Sequence, residues 1–188
     1  MEIKNHRLTN TTFLSSPNFN DRPNRNIIDM IVIHSISLPH GKYRNNNVEN
    51  LFLNKLDQHA HTSFKELQGL KVSSHIYIKR SGKIIQFVPF NYRAWHAGES
   101  SFEGKENCNN NSIGIELEGT DNTKYDHHQY DSLKKLLQLL VSAYPEISIN
   151  RIVGHSDIAP ERKTDPGPFF DWSIPVSYTH LRAHETRH

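Results

Sequence analysis

Ile27-Ile28-Asp29-Met30-Ile31-Val32-Ile33-His34-Ser35-Ile36 carries apolar side chains at both parities of an extended chain. Successive residues of a strand face opposite sides, so such a run predicts a strand covered on both faces. A sheet covered on both faces needs elements packed on each side of it, which selects a mixed α/β architecture. The apolar run also stops at a chemically useful residue, His34.

The rest of the chain supplies elements for such a fold. Val72–Lys79, a Ser81-Gly82 turn and Lys83–Val88 read as a hairpin. From Ser112 to Leu117 the chain alternates, with Ile113, Ile115 and Leu117 on one face and Gly114 and Glu116 on the other. A helix is predicted from Asp126 to Tyr144, where Tyr130, Leu133, Leu136, Leu137, Leu140, Val141 and Tyr144 recur at helical spacing before Pro145. Asn47 reads as the N-cap of a short helix through Val48, Leu51, Phe52 and Leu56. Arg151-Ile152-Val153 is a short strand that delivers His155. Residues 1–26 are polar and irregular, and are expected to wrap the surface. One domain over residues 1–175 follows, with a central mixed β-sheet flanked by helices on both faces.

Composition removes several function classes. The 188 residues hold 22 Lys+Arg against 20 Asp+Glu, with no long basic run, so nucleic acid is not an expected partner. No apolar stretch approaches the ~20 residues of a membrane span, and Met1–Arg7 lacks the apolar core of a signal peptide. Cys108 is the single cysteine, which excludes an intramolecular disulfide and a thiolate-built zinc site. Cytoplasmic residence and a monomer are the expectations. Val176-Ser177-Tyr178-Thr179-His180-Leu181-Arg182-Ala183-His184-Glu185-Thr186 back-translates readily into an adapter of transposase-based sequencing libraries. Residues 176–188 are therefore expected to be a non-native tail, and their three histidines carry no weight as ligands.

The chemistry concentrates in Gly154-His155-Ser156-Asp157-Ile158-Ala159-Pro160-Glu161-Arg162-Lys163-Thr164-Asp165-Pro166-Gly167-Pro168. This segment holds an imidazole, an ammonium and a carboxylate in a loop that proline keeps from being helical throughout. His34, His155 and Asp165 make three ligands for one Zn2+ ion with a position left open, the pattern of a hydrolytic site. An ion of that kind lowers the pKa of its water towards roughly 7. Taken singly, a core histidine or a turn-forming aspartate is the commoner role. In an extended segment Lys163 and Asp165 point the same way, so the Lys163 ammonium is expected near the metal, where it would stabilise a developing oxyanion. Glu116 is the candidate general base, and Glu118, on the same strand face, competes with it. Periodicity alone does not separate them.

Ile33-His34-Ser35-Ile36-Ser37-Leu38-Pro39, Arg93-Ala94-Trp95-His96-Ala97-Gly98, Ser112–Thr120 and Gly154–Pro168 resemble the AmpD-type N-acetylmuramoyl-L-alanine amidases. The resemblance runs from about Leu14 to Trp172. It implies a fold shared with phage amidases and peptidoglycan recognition proteins. It also implies zinc on His34, His155 and Asp165, with Glu116 and Lys163 catalytic. The implied substrate is a cytoplasmic 1,6-anhydro-muropeptide of cell-wall recycling, cut between the lactyl group of the sugar and L-alanine. Candidate substrate-binding positions are Trp95, Lys71, Ser35 and Asn107. Ser35 stands where the family more often has Asn, and Asn107 where Arg is common. His75 is read either as a cleft residue or as a buried structural one, and Cys108 as inert. Two alternatives remain: an amidase acting on intact peptidoglycan, and a peptidoglycan-binding module without catalysis.

Overall fold

The computed structural model describes residues 1–23, 27–175 and Ser177. Of the tail expected to be non-native, only Ser177 is therefore described, and the question of its origin lies outside these residues. The elements follow in order as β1 (Ile3–Lys4), β2 (Arg7–Leu8), β3 (Thr12–Phe13), β4 (Phe19–Asp21), β5 (Met30–Ile36), α1 (Asn47–Phe52), β6 (Ile76–Ile78) and β7 (Ile84–Gln86). After these come β8 (Tyr92–Ala94), β9 (Ser101–Phe102), β10 (Lys105–Glu106), β11 (Ser112–Glu118), α2 (His127–Ala143), β12 (Ile152–Gly154) and α3 (His155–Ile158).

Six strands form the central sheet in the order β12-β5-β11-β6-β7-β3. Pairing is parallel from β12 through β6, antiparallel between β6 and β7, and parallel again between β7 and β3. The sheet is mixed, as expected. Its central pair, β5 and β11, is in register with Glu116 opposite His34, so both side chains leave the same face. The opposite face presents Ile31, Ile33, Ile113, Ile115 and Leu117 to the buried Leu133, Leu136, Leu137 and Leu140 of α2. Burying each such leucine contributes about 1.5–3 kcal/mol. The catalytic-candidate face packs instead on two smaller clusters. One sets Tyr77, Ile85 and Phe87 against Val48, Leu51 and Phe52 of α1, and the other joins Met30, Val32 and Val153 to Ala97 and Cys108.

Helix α2 is held at its start by a capping box, with Asp126 as N-cap and Gln129 reaching back. The Gln129 amide also donates to the carbonyls of Ile78 (3.1 Å) and Glu118 (3.0 Å), tying the helix to the ends of β6 and β11. Other expectations need correction. Asn47 is the first residue of α1, Asn46 is its N-cap without a side-chain bond, and Leu56 lies beyond the helix. The first 23 residues are not merely a surface wrap. β3 is an edge strand of the sheet, β4 pairs with β8, and Leu8, Ser16, Asn18 and Arg22 are buried. Two- and three-residue strands give no periodic signal, because tertiary pairing sets their register.

Candidate functional site

Three sequence-distant segments converge at the ends of β5, β11 and β12. His34 lies within β5, Glu116 faces it from β11, and His155 opens α3 directly after β12. The helix that His155 begins is only one turn long, because Pro160 prevents its continuation. Asp165 reaches the same point from the loop beyond, its backbone carbonyl accepting from Ser156 N–H at 3.0 Å.

The polar atoms here are close. His34 Nδ1 lies 3.0 Å from His155 Nδ1 and 3.4 Å from Asp165 Oδ2, and His155 Nδ1 lies 3.2 Å from Asp165 Oδ1. Glu116 Oε1 is 3.9 Å from His34 Nδ1. Tetrahedral ligands about 2.0–2.1 Å from one ion stand roughly 3.3 Å apart, so the spacing suits zinc. The donor chemistry fits as well. His155 Nε2 lies 2.9 Å from the Ala97 carbonyl, which can only accept, so that nitrogen carries the proton and Nδ1 turns a lone pair towards His34 and Asp165. Two imidazoles and a carboxylate without thiolates are a donor set suited to zinc.

Electrostatics separate the roles further. Burial pushes His34 down to about 4, with Asp165 opposing the shift and His155 adding to it. Burial also disfavours the Asp165 carboxylate, but its contacts with His155 and His34 outweigh that and hold it below the usual range. Glu116 moves the other way, held well above its ordinary value by burial and by the neighbouring Asp165. Its Oε2 has no hydrogen-bond partner, one of few such buried side-chain atoms among the described residues. Glu118 is different. Its Oε1 accepts from Arg44 N–H at 3.1 Å and its Oε2 from Arg80 N–H at 2.8 Å. It fastens two loops, whereas Glu116 Oε2 is left without a partner.

Asp165 and Lys163 border an open depression of about 360 Å³, together with Ser35, His40 and Asp121. The chain turns between Ala159 and Lys163, whose N–H donates to Ala159 O at 2.8 Å. Lys163 follows this turn and borders the same depression as Asp165. Ser35 joins the site twice. Its backbone N–H donates to Asp165 Oδ2 (3.3 Å) and its hydroxyl to Asp121 Oδ1 (3.0 Å). Asp121 also accepts from the Thr164 hydroxyl, so it links the β5 end to the loop bearing Lys163 and Asp165.

The other candidates lie apart from that depression. Asn107, in a left-handed conformation, borders a neighbouring groove of about 450 Å³ that shares Arg162 with it. Trp95 is half-buried at the end of β8, its indole N–H donating to Asn20 Oδ1 at 2.9 Å. Lys71 is exposed beside a small depression lined by Leu51, Leu56, Leu67 and Leu70. His75 is structural: Nδ1 accepts from Gly114 N–H (3.0 Å) and Nε2 donates to Tyr92 O (2.9 Å). Cys108 is buried, and burial raises its thiol pKa. The reading of the sequence missed Asp121 and His96, whose Nδ1 lies 2.8 Å from His34 Nε2. His96 lay within a quoted motif, but a lone histidine carries no periodic signal of its partner.

Comparison with known proteins agrees with this architecture. The chain is 46% identical over 171 residues to the 1,6-anhydro-N-acetylmuramyl-L-alanine amidase AmpD of Haemophilus influenzae, covering 91% of this chain and 93% of that one. It is 48% identical over 158 residues to the Escherichia coli K12 protein of the same name, covering 84% and 86%. The crystal structure of a selenomethionine AmpD derivative superposes with a TM-score of 0.92 at 44% identity, covering 95% of this chain and 99% of that one. A more distant neighbour is the E. coli amidase AmiD in complex with anhydro-N-acetylmuramic acid-L-Ala-D-γ-Glu-L-Lys, with a TM-score of 0.60 at 30% identity, covering 82% and 58%. The pattern of the N-acetylmuramoyl-L-alanine amidase family matches residues 23–168. With that extent of match and this shared fold, the chain belongs to the N-acetylmuramoyl-L-alanine amidase family.

Proposed function

We propose that this protein is a zinc-dependent amidase of cell-wall recycling in the cytoplasm. It cleaves 1,6-anhydro-N-acetylmuramoyl peptides between the lactyl carbonyl and the L-alanine nitrogen. The carrying observation is the convergence of His34 Nδ1, His155 Nδ1 and Asp165 beside a buried glutamate oxygen that has no partner. His34, His155 and Asp165 would hold the ion. Zinc, when bound, supplies Lewis acidity that polarises the amide carbonyl and eases deprotonation of water.

The chain's own groups do the rest. Glu116, whose proton affinity is raised by burial, is suited to take a proton from the attacking water and deliver it to the departing nitrogen. Water adds to the carbonyl carbon, the C–N bond breaks, and the products are a lactyl carboxylate and a peptide with a free α-amine. Lys163 contributes a positive charge beside Asp165 that opposes the negative charge building on the carbonyl oxygen. Ser35 and Asp121 hold the Asp165 loop in place.

Two observations favour this reading over its alternatives. A pure binding module gains nothing from a buried carboxylate left unpaired, which destabilises the fold. Similarity is also greater to the AmpD relatives than to E. coli AmiD, which is 37% identical over 59% of this chain. The test is mass spectrometry of the products from a synthetic anhydromuramoyl tripeptide, with whole sacculi assayed in parallel. Expected are anhydromuramic acid derivative and free tripeptide, abolished by a chelator and restored by zinc. Turnover unaffected by exhaustive chelation, or a preference for sacculi, would contradict the proposal.

A further inference from the structure

His96 is buried and has no part in the chemistry described so far, yet it touches the cluster directly. Its Nδ1 lies 2.8 Å from His34 Nε2, and its Nε2 lies 3.2 Å from the Ser112 hydroxyl. The next residue, Ala97, offers its carbonyl to His155 Nε2 at 2.9 Å. One dipeptide therefore contacts the outward-facing nitrogen of both imidazoles. The backbone of this dipeptide is pinned, because Asn109 Oδ1 accepts from His96 N–H (3.1 Å) and from Ala97 N–H (2.8 Å). Asn109 is held in turn by Arg22, whose guanidinium donates to its carbonyl at 3.1 Å. The ring itself fits only because residue 114 of β11 is glycine, since a β-carbon there would overlap the His96 ring.

We infer that His96 is a positioning residue that fixes the tautomer of His34. With His96 Nδ1 accepting and its Nε2 donating to Ser112, His34 must carry its proton on Nε2. His34 Nδ1 then presents a bare lone pair beside His155 Nδ1. In the reverse arrangement, with Ser112 donating and His96 Nδ1–H pointing at His34 Nε2, the His34 proton sits on Nδ1. That places it between the atoms that would share an ion. Outer partners of metal-bound histidines commonly set ring orientation in this way, and their loss typically costs 10–100-fold in metal affinity. Here the outer partner of His155 is a carbonyl, which can only accept. The partner of His34 is an imidazole able to do either; Gly114 leaves room for its ring, Asn109 anchors its backbone, and a proton on its Nε2 shared with Ser112 is what sets His34.

The inference rests on the reading of His34 as a zinc ligand, and the experiment distinguishes the two. Zinc affinity is measured by chelator competition for the wild type, His96→Leu and His96→Asn. The Asn side chain puts an acceptor oxygen at the place of Nδ1. We expect His96→Leu to bind zinc about 10–100-fold more weakly and His96→Asn to recover to within about threefold of wild type. Long-range 1H–15N correlation of the zinc-free wild type, which depends on no variant folding, should show His34 protonated on Nε2. Equal zinc affinity in His96→Leu, no recovery in His96→Asn, or a proton on His34 Nδ1 overturns the role of His96 alone. A wild type that binds no zinc overturns the metal reading and this inference with it.

Discussion

Glu116 and Glu118 stand two residues apart on one strand face and are both buried, yet their surroundings differ in kind. Glu118 has each oxygen satisfied by a backbone N–H, from Arg44 and Arg80, and serves to join loops. Glu116 keeps Oε2 unpaired and faces His34 and Asp165. A buried carboxylate without donors is expensive for the fold, so its persistence beside a cluster of lone pairs supports the proposed catalytic role of Glu116. The same strand thus carries a structural region and the proposed reactive one within about 7 Å of chain.

Substitution of each glutamate by glutamine should pull the regions apart most strongly. Glu116→Gln is expected to lower kcat by roughly 10²–10⁴ while zinc content stays at wild-type level. Glu118→Gln should retain most of the rate but lose about 1–3 kcal/mol in urea unfolding, because its amide turns a donor towards a backbone N–H. Equal rate losses in the two variants would erase the distinction. Lys163→Met should follow in size, with a fall of about 10²–10³ in kcat and little change in unfolding. A fall confined to KM would assign it to binding instead.

Acid sensitivity of the zinc-free protein sharpens the comparison further. Burial holds His34 at about 4, His75 at about 3 and His96 well below its ordinary value, whereas unfolded histidines titrate near 6.5. Below 6.5 the unfolded chain therefore binds more protons than the folded one, and stability falls as the pH falls towards 4. Each such proton contributes about 1.4 kcal/mol per pH unit. Glu116 has the opposite sign, since its raised value lets the folded state keep a proton that the unfolded chain releases above about 4.5. Across this range the three histidines make stability rise with pH and Glu116 opposes that rise, so the slope should steepen in Glu116→Gln. Urea melts across this range measure it, and a slope unchanged by Glu116→Gln would contradict the assignment. The smallest effect is expected from Ser35→Ala, which removes the hydroxyl bond to Asp121 and should cost about 0.5–1.5 kcal/mol in stability.

Much of this was legible in the sequence, for specific reasons. β5 announces itself by apolar residues at both parities, and α2 by leucines at helical spacing between a capping box and Pro145. His34, His155 and Asp165 were drawn together by residue type at strand ends and by family resemblance. What period-two reasoning could not do was choose between Glu116 and Glu118, because the difference lies in which loops donate to them. Lys163 borders the same depression as Asp165, and the turn closed by Ala159 O just before it gave no periodic signal. Residues such as His96 and Asp121 escaped notice because their partners are remote in sequence. The edge strand Thr12–Phe13 escaped because two residues hold no pattern.

The central claim is that the reactive region is built around an ion held by His34, His155 and Asp165. Anomalous diffraction from zinc-loaded crystals, collected on both sides of the zinc edge, tests it most directly. The account predicts one strong peak per chain within about 2.0–2.2 Å of His34 Nδ1, His155 Nδ1 and an Asp165 oxygen, absent in Asp165→Ala. A fully zinc-saturated crystal with no peak there, or with its peak elsewhere, would contradict it.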